Sequence, residues 1–164
     1  INDSSAICGY FEKHTPSPAL YPEAALDYGR ALWIEEVCDS DLAGKIGLGV
    51  FRPIFFNIAT GKPADTKAAH AGFEVLASVL LPYLQAQLGE REYMAGDAFS
   101  IADIALTTQL MNLNLVGFAL PKDRFGPLRA HFERSIARPS IAHFIEQDKI
   151  TVEKMGFQVE RQID

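Results

Sequence analysis

A chain of 164 residues with 48% hydrophobic and 22% charged residues has the make-up of a soluble globular domain and enough length to bury a sizeable core. Its net charge of -6, with no Lys/Arg cluster, argues against a nucleic-acid partner. Gly, Pro, Asn and Gln interrupt every long apolar run, so no membrane span is expected either. The first residues carry an acid and no basic leader segment, and the absence of an initiator Met implies a start inside a longer protein. Cys8 and Cys38 are too few for a disulfide framework. Neither has a His or basic neighbour that would activate it, so two reduced thiols in a cytoplasmic protein are expected.

Asp3 to Lys13 reads as a short helix, started by Asp3 or Ser4 and carrying an apolar stripe of Ala6, Ile7, Tyr10 and Phe11. Pro16, Pro18 and Pro22 then make residues 14–22 a stiff linker. Pro22 suits the first turn of a second helix, whose period through Leu26, Trp33 and Val37 lasts to about Asp39. Glu35, Glu36, Asp39 and Asp41 read as its solvated acidic face. Gly44, Gly47, Gly49 and Pro53 are expected to loosen the chain beyond it. Phe51, Phe55 and Phe56 fit core packing better than a pocket wall.

Pro63 can open a third helix, with Phe73, Leu76, Leu80, Leu84 and Leu88 on one stripe. Pro82 predicts a kink near Ser78, and Gly89 ends the helix. Ser100 and Asp103 stand three apart ahead of an apolar run, the spacing of an N-capping box; Asp103 also suits the positive end of the helix dipole. Phe99 and Ile104 can close a hydrophobic staple across it. The helix that follows, within about 99–117, is apolar on nearly every face and too short to span a membrane, which predicts a buried central helix. Pro121 and Pro127 bracket a loop. A helix follows through Leu128, Phe132 and Ile136, and Pro139 starts another with Ile141, Phe144 and Ile145. Ile150, Val152, Phe157 and Val159 alternate too weakly for assignment. The chain therefore reads as all-α.

Chemistry-bearing motifs are scarce. No Gly-rich phosphate loop, H-E-x-x-H or C-x-x-C occurs, and His14, His70, His131 and His143 do not stand at ligand spacing with each other or with carboxylates. No metal site is expected.

Three segments carry a family resemblance. Asp3-Ser4-Ser5-Ala6-Ile7-Cys8-Gly9-Tyr10-Phe11 resembles the acidic-Ser-x-Ala-Ile-x-x-Tyr-Leu signature of the last helix in the thioredoxin-like domain of glutathione transferases, with Phe11 in place of Leu. Phe99-Ser100-Ile101-Ala102-Asp103-Ile104 resembles the capping box and staple of that family's sixth helix. Ile136-Ala137-Arg138-Pro139-Ser140-Ile141 resembles its Arg-Pro turn near the end of the helical domain. Each segment is weak alone, but their order and spacing cover nearly the whole chain.

The resemblance implies a C-terminal helical bundle at 23–164, preceded by a linker at 15–22. A helix at 1–14 would be left over from a thioredoxin-like α/β domain. It implies that Asp3 and Ser4 bind the γ-glutamyl end of glutathione, a carboxylate answering the ammonium and a hydroxyl with helix N-terminal N–H groups answering the carboxylate. It gives Ser100 and Asp103 a folding role, worth on the order of 1 kcal/mol each as a cap. The thiolate-activating Tyr, Ser or Cys of the family would lie before residue 1, so no catalytic residue is expected in this chain. Tyr28, Trp33 and Met111 are candidates for the acceptor pocket. The implied activity is conjugation of glutathione to a small, apolar electrophile by a homodimeric cytoplasmic enzyme. The same fold also serves glutathione-dependent isomerases and dehalogenases, and non-catalytic interaction modules of elongation factors and aminoacyl-tRNA synthetases.

Overall fold

The computed structural model describes residues 1–154, which form helices and connections with no strand among them. Helix α1 spans Ser4–His14, with Asp3 as its N-cap. The proline-rich linker follows without regular structure and carries a cis Ser17-Pro18 peptide bond. Helix α2 begins at Ala25, not Pro22: Glu23 and Ala24 precede it without helical structure, so Pro22 lies outside the first turn.

The largest departure from expectation follows. The chain does not loosen after Asp39. Helix α2 runs unbroken through Ala25–Ala59, absorbing two wider π turns at Cys38–Leu42 and Gly47–Phe51. Pro53 directly follows the second π turn, so the N–H it lacks falls where the ladder of helix bonds has already changed register. What holds the glycines in helix is tertiary burial. Ala31, Ile34, Cys38, Leu42, Ile46, Val50 and Ile54 form one stripe with almost no exposed surface. By length and composition alone α2 could cross a membrane. Its buried stripe instead packs within the bundle.

Helix α3 (Thr66–Ser78) starts behind Asp65, whose carboxylate accepts from the Ala68 N–H at 2.9 Å, so the helix opens three residues later than Pro63. The break expected from Pro82 is present. Val79 leaves helical geometry (φ -131°, ψ -60°) and separates α3 from α4 (Leu80–Leu88), which Gly89 closes with φ 57°. Against α3 lies the second π turn of α2, with Gly72 and Gly49 in backbone contact. A Cβ at Gly72 would overlap the Gly49 carbonyl, so only glycine allows these two helices to come so close.

Helix α5 (Ile101–Leu115) is the central element and packs on α2 and on α6 (Lys122–Ile136). Ile101, Ala102, Ala105, Leu106, Leu110 and Leu113 are buried, whereas Thr108 and Asn112 are exposed and Met111 and Leu115 only half-buried, so one side of the helix stays open. The proposed loop between Pro121 and Pro127 is instead the first turn of α6. Phe125 leaves helical geometry (φ -129°, ψ 36°), the backbone kink that accommodates Pro127. Helix α7 (Pro139–Lys154) continues past Lys149, where the weak alternation of the sequence gives no assignment; Phe157 and Val159 lie outside the described residues.

Candidate functional site

The N-terminus of α1 places Asp3 and Ser4 together on an exposed edge. Asp3 Oδ1 accepts from the Ala6 N–H at 2.9 Å, the bond of an N-cap. Ser4 Oγ donates to Asp39 Oδ2 of α2 at 3.5 Å. Glu35 is not part of a solvated face. It is 3% exposed, and the Tyr21 hydroxyl donates to its two carboxylate oxygens at 3.4 and 3.3 Å. Its neighbours Glu36, Asp39 and Asp41 are exposed, as expected. A signal for Glu35 existed in the sequence: with Ala31, Cys38 and Leu42 it keeps the spacing of the buried stripe of α2.

These groups form an acid-rich junction between α1 and α2. Burial pushes the Glu35 carboxyl above the usual carboxylate range, and the charges of Asp39 and Asp3 push further in the same direction. The Ser5 and Tyr21 hydroxyls oppose the shift. Burial also raises Asp39, against the pull of its bond from Ser4. The Cys8 thiol is raised by burial and then by Glu35 and Asp39, and burial raises the Tyr21 hydroxyl. Cys38 is fully buried and pushed up to about 12. Neither thiol is activated.

The three acceptor-pocket candidates do not converge. Tyr28 packs on Tyr21 (ring centroids 5.8 Å apart) and Trp33 stands edge-on to Tyr83 at 6.0 Å. Only Met111 lines the large groove of about 730 Å³ on the open side of α5, with Thr108 and Leu115, Phe132 and Ile136 of α6, and Phe144 of α7. Phe51 and Phe55 stack at 4.8 Å against the core.

Ser100 and Asp103 form the reciprocal capping box at the start of α5. Asp103 Oδ2 accepts from the Ser100 N–H at 2.9 Å and from its hydroxyl at 3.1 Å. The carboxylate does more than cap. Its Oδ1 accepts from the Met94 N–H at 2.8 Å and lies 2.7 Å from His131 Nε2, which as donor to a carboxylate carries the ring proton. His131 is therefore paired after all, across 28 residues and between α5 and α6; its Nδ1 is buried without a partner. Phe99, the residue before the cap, supports the Arg138 guanidinium 3.9 Å above its ring, which ties the cap to the turn before α7. Among the described residues no cluster of three or more His, Cys, Asp or Glu could hold a metal ion.

Residues 41–139 match the family model described as glutathione S-transferase, C-terminal domain. Glutathione S-transferase 2 of Saccharomyces cerevisiae is 26% identical over 155 residues, covering 89% of this chain and 62% of its own length. The probable glutathione S-transferase GSTF2 of Oryza sativa subsp. japonica is 32% identical over 140 residues, covering 84% and 64%. In structure the chain resembles Ure2p5 of Phanerochaete chrysosporium, cocrystallised with 1-(S-glutathionyl)-2,4-dinitrobenzene. The TM-score is 0.76 at 18% identity, over 94% of this chain and 71% of that one. The chain thus spans a little over three fifths of the length of these curated relatives. The helical bundle around α5 and the match over most of α2 to α6 lead to one conclusion: this chain belongs to the glutathione transferase family, as a C-terminal helical domain.

Proposed function

We propose that the intact protein conjugates glutathione to a small, apolar electrophile, and that Asp3 and Ser4 take the γ-glutamyl end of glutathione. The observation that carries this reading is the α1 N-terminus of a chain in this family. Asp3 spends one carboxylate oxygen on its own helix, which leaves the other to accept from an ammonium. The first-turn N–H groups not used by Asp3, and the Ser4 hydroxyl once it turns from its long bond to Asp39, can donate to the γ-glutamyl carboxylate. The chemistry is addition or substitution by a thiolate, which requires a group that lowers the thiol pKa. In this reading that group belongs to a thioredoxin-like domain ahead of α1, and the linker at 15–22 joins it to the helical domain at 23–164. The groove beside Met111 is apolar enough to take the acceptor.

Exposed Leu48 and Val75, across a shallow cleft between α2 and α3, support a homodimer of this cytoplasmic enzyme. Calorimetric titration of the intact protein with reduced glutathione tests the site. Asp3→Ala should weaken binding about tenfold, the scale of one charge-assisted contact. Equal affinity in wild type and variant would remove Asp3 from the site.

A further inference from the structure

We propose that Glu12 is a positioning residue for conjugation: by way of Leu20 it fixes α1, with Asp3 and Ser4, against the start of α5, whose open side carries the acceptor groove. The inference rests on the glutathione reading above. Helix α1 has no buried residue, and of its apolar side chains only half-buried Cys8 packs against the core. Near its N-terminus the bond from Ser4 to Asp39 is long, 3.5 Å, and exposed. Its well-formed tie to the rest of the chain is Glu12. That carboxylate accepts from the Leu20 N–H at 3.0 Å and, more weakly, from the Tyr21 N–H at 3.4 Å.

Both linker residues are held from the far side as well. The Leu20 carbonyl accepts from the Ile101 N–H at 2.9 Å, a donor that has no partner within the first turn of α5. Tyr21 is buried, and its hydroxyl donates to the buried Glu35 carboxylate of α2 at 3.4 and 3.3 Å. The backbone of Leu20 is thus a two-sided clip, with α1 on its N–H and α5 on its C=O. Helix α5 runs unbroken from Ile101 to Leu115, so its start and the groove beside Met111 move together. In the same way Ser4 and Glu12 share one helix, which Asp3 caps. Glu12 touches neither glutathione nor acceptor in this scheme. It sets the separation of the helices that hold them, and misplacing reacting groups by about an ångström costs up to about a hundredfold in rate.

The test is made on the intact protein, with reduced glutathione and 1-chloro-2,4-dinitrobenzene as the acceptor. Calorimetric titration gives the dissociation constant and the number of glutathione sites, and kcat at saturating glutathione is counted per site. Glu12→Ala should lower kcat about tenfold. Its glutathione affinity and site number should stay within about twofold of wild type, because Asp3 and Ser4 keep their places on α1. A merely structural defect would reduce the number of sites and leave kcat per site unchanged. Glu12→Gln keeps one acceptor oxygen for the Leu20 N–H and should restore most of the rate. Should Glu12→Ala not fold, Glu12→Asp carries the same expectation, since it is one methylene too short to reach Leu20. Wild-type kcat per site in Glu12→Ala (or in Glu12→Asp where that variant replaces it), with Asp3→Ala impaired in binding, overturns the positioning role and leaves the site reading intact. A loss of glutathione affinity as large as that of Asp3→Ala also overturns it, as does a rate loss in Glu12→Gln equal to that in Glu12→Ala. Unimpaired binding in Asp3→Ala, or absence of conjugation by the wild type, removes the glutathione reading, and this inference with it.

Discussion

Replacing Asp103 by Ala is the most informative perturbation of the core. The carboxylate is fully buried and accepts from four donors: the Ser100 N–H and hydroxyl, the Met94 N–H and His131 Nε2. Ala leaves the three N–H donors buried without an acceptor, each orphaned donor costing about 1 kcal/mol at the low end of the usual range. The lost capping bond is the one from the Ser100 N–H and is already among these three, so a destabilisation of about 3 kcal/mol is expected. Against a typical total of roughly 5–15 kcal/mol, that brings the domain close to unfolding. Urea denaturation followed by far-UV circular dichroism measures it, provided the slopes of wild type and variant agree. Ser100→Ala, which removes one hydroxyl, should cost only about 1 kcal/mol. The partner side gives a control: His131→Phe in the Asp103→Ala background removes one of the orphaned donors and should recover part of the loss. A cost for Asp103→Ala equal to that of Ser100→Ala would refute the argument, because the residue would then be a cap and nothing more.

Gly72→Ala should destabilise by about 2 kcal/mol, since its Cβ meets the backbone of Gly49 and not a yielding side chain; an unchanged melting temperature would mean the two helices separate freely. Stability should also respond to Glu35. Its folded-state pKa is raised by burial, so between the ordinary carboxylate range and that raised value the folded chain keeps a proton that the unfolded chain has released. Its contribution to stability therefore falls as pH rises through that window and recovers as pH falls. Glu35→Gln should flatten this slope in urea titrations at a series of pH values, and an unaltered slope would show that another group is responsible. The thiols offer a simple check. Native protein at pH 8 should react slowly at Cys8 and not at Cys38, with both modified after denaturation; rapid native labelling of two thiols would contradict the burial.

Much of the fold was legible because its signals are local. Asp3 before α1, Ser100 and Asp103 before α5, Pro82 at the α3–α4 break and Gly89 at the end of α4 each act on backbone groups within about a turn of themselves. The helices at Ala25 and Thr66 start later than Pro22 and Pro63 suggest, because a proline permits a first turn without requiring one. The candidate site was legible in part. The acidic-Ser pair stands in a recognisable segment, whereas Glu35 was hidden among three truly exposed acids although its spacing matches the buried stripe.

The sequence by itself determined the helical class, the punctuation between most helices and the capping box, since these depend on side chains interacting with neighbouring backbone. Tertiary structure decided three things that no local signal contains. It kept Gly44, Gly47, Gly49 and Pro53 within one 35-residue helix, because a continuous buried stripe outweighs weak helix propensity. It joined His131 to Asp103 and the Tyr21 hydroxyl to Glu35, pairings between separate segments of the chain. It also left one side of α5 open beside Met111, because helix composition specifies how much surface can be buried, while the neighbouring helices decide which side is covered.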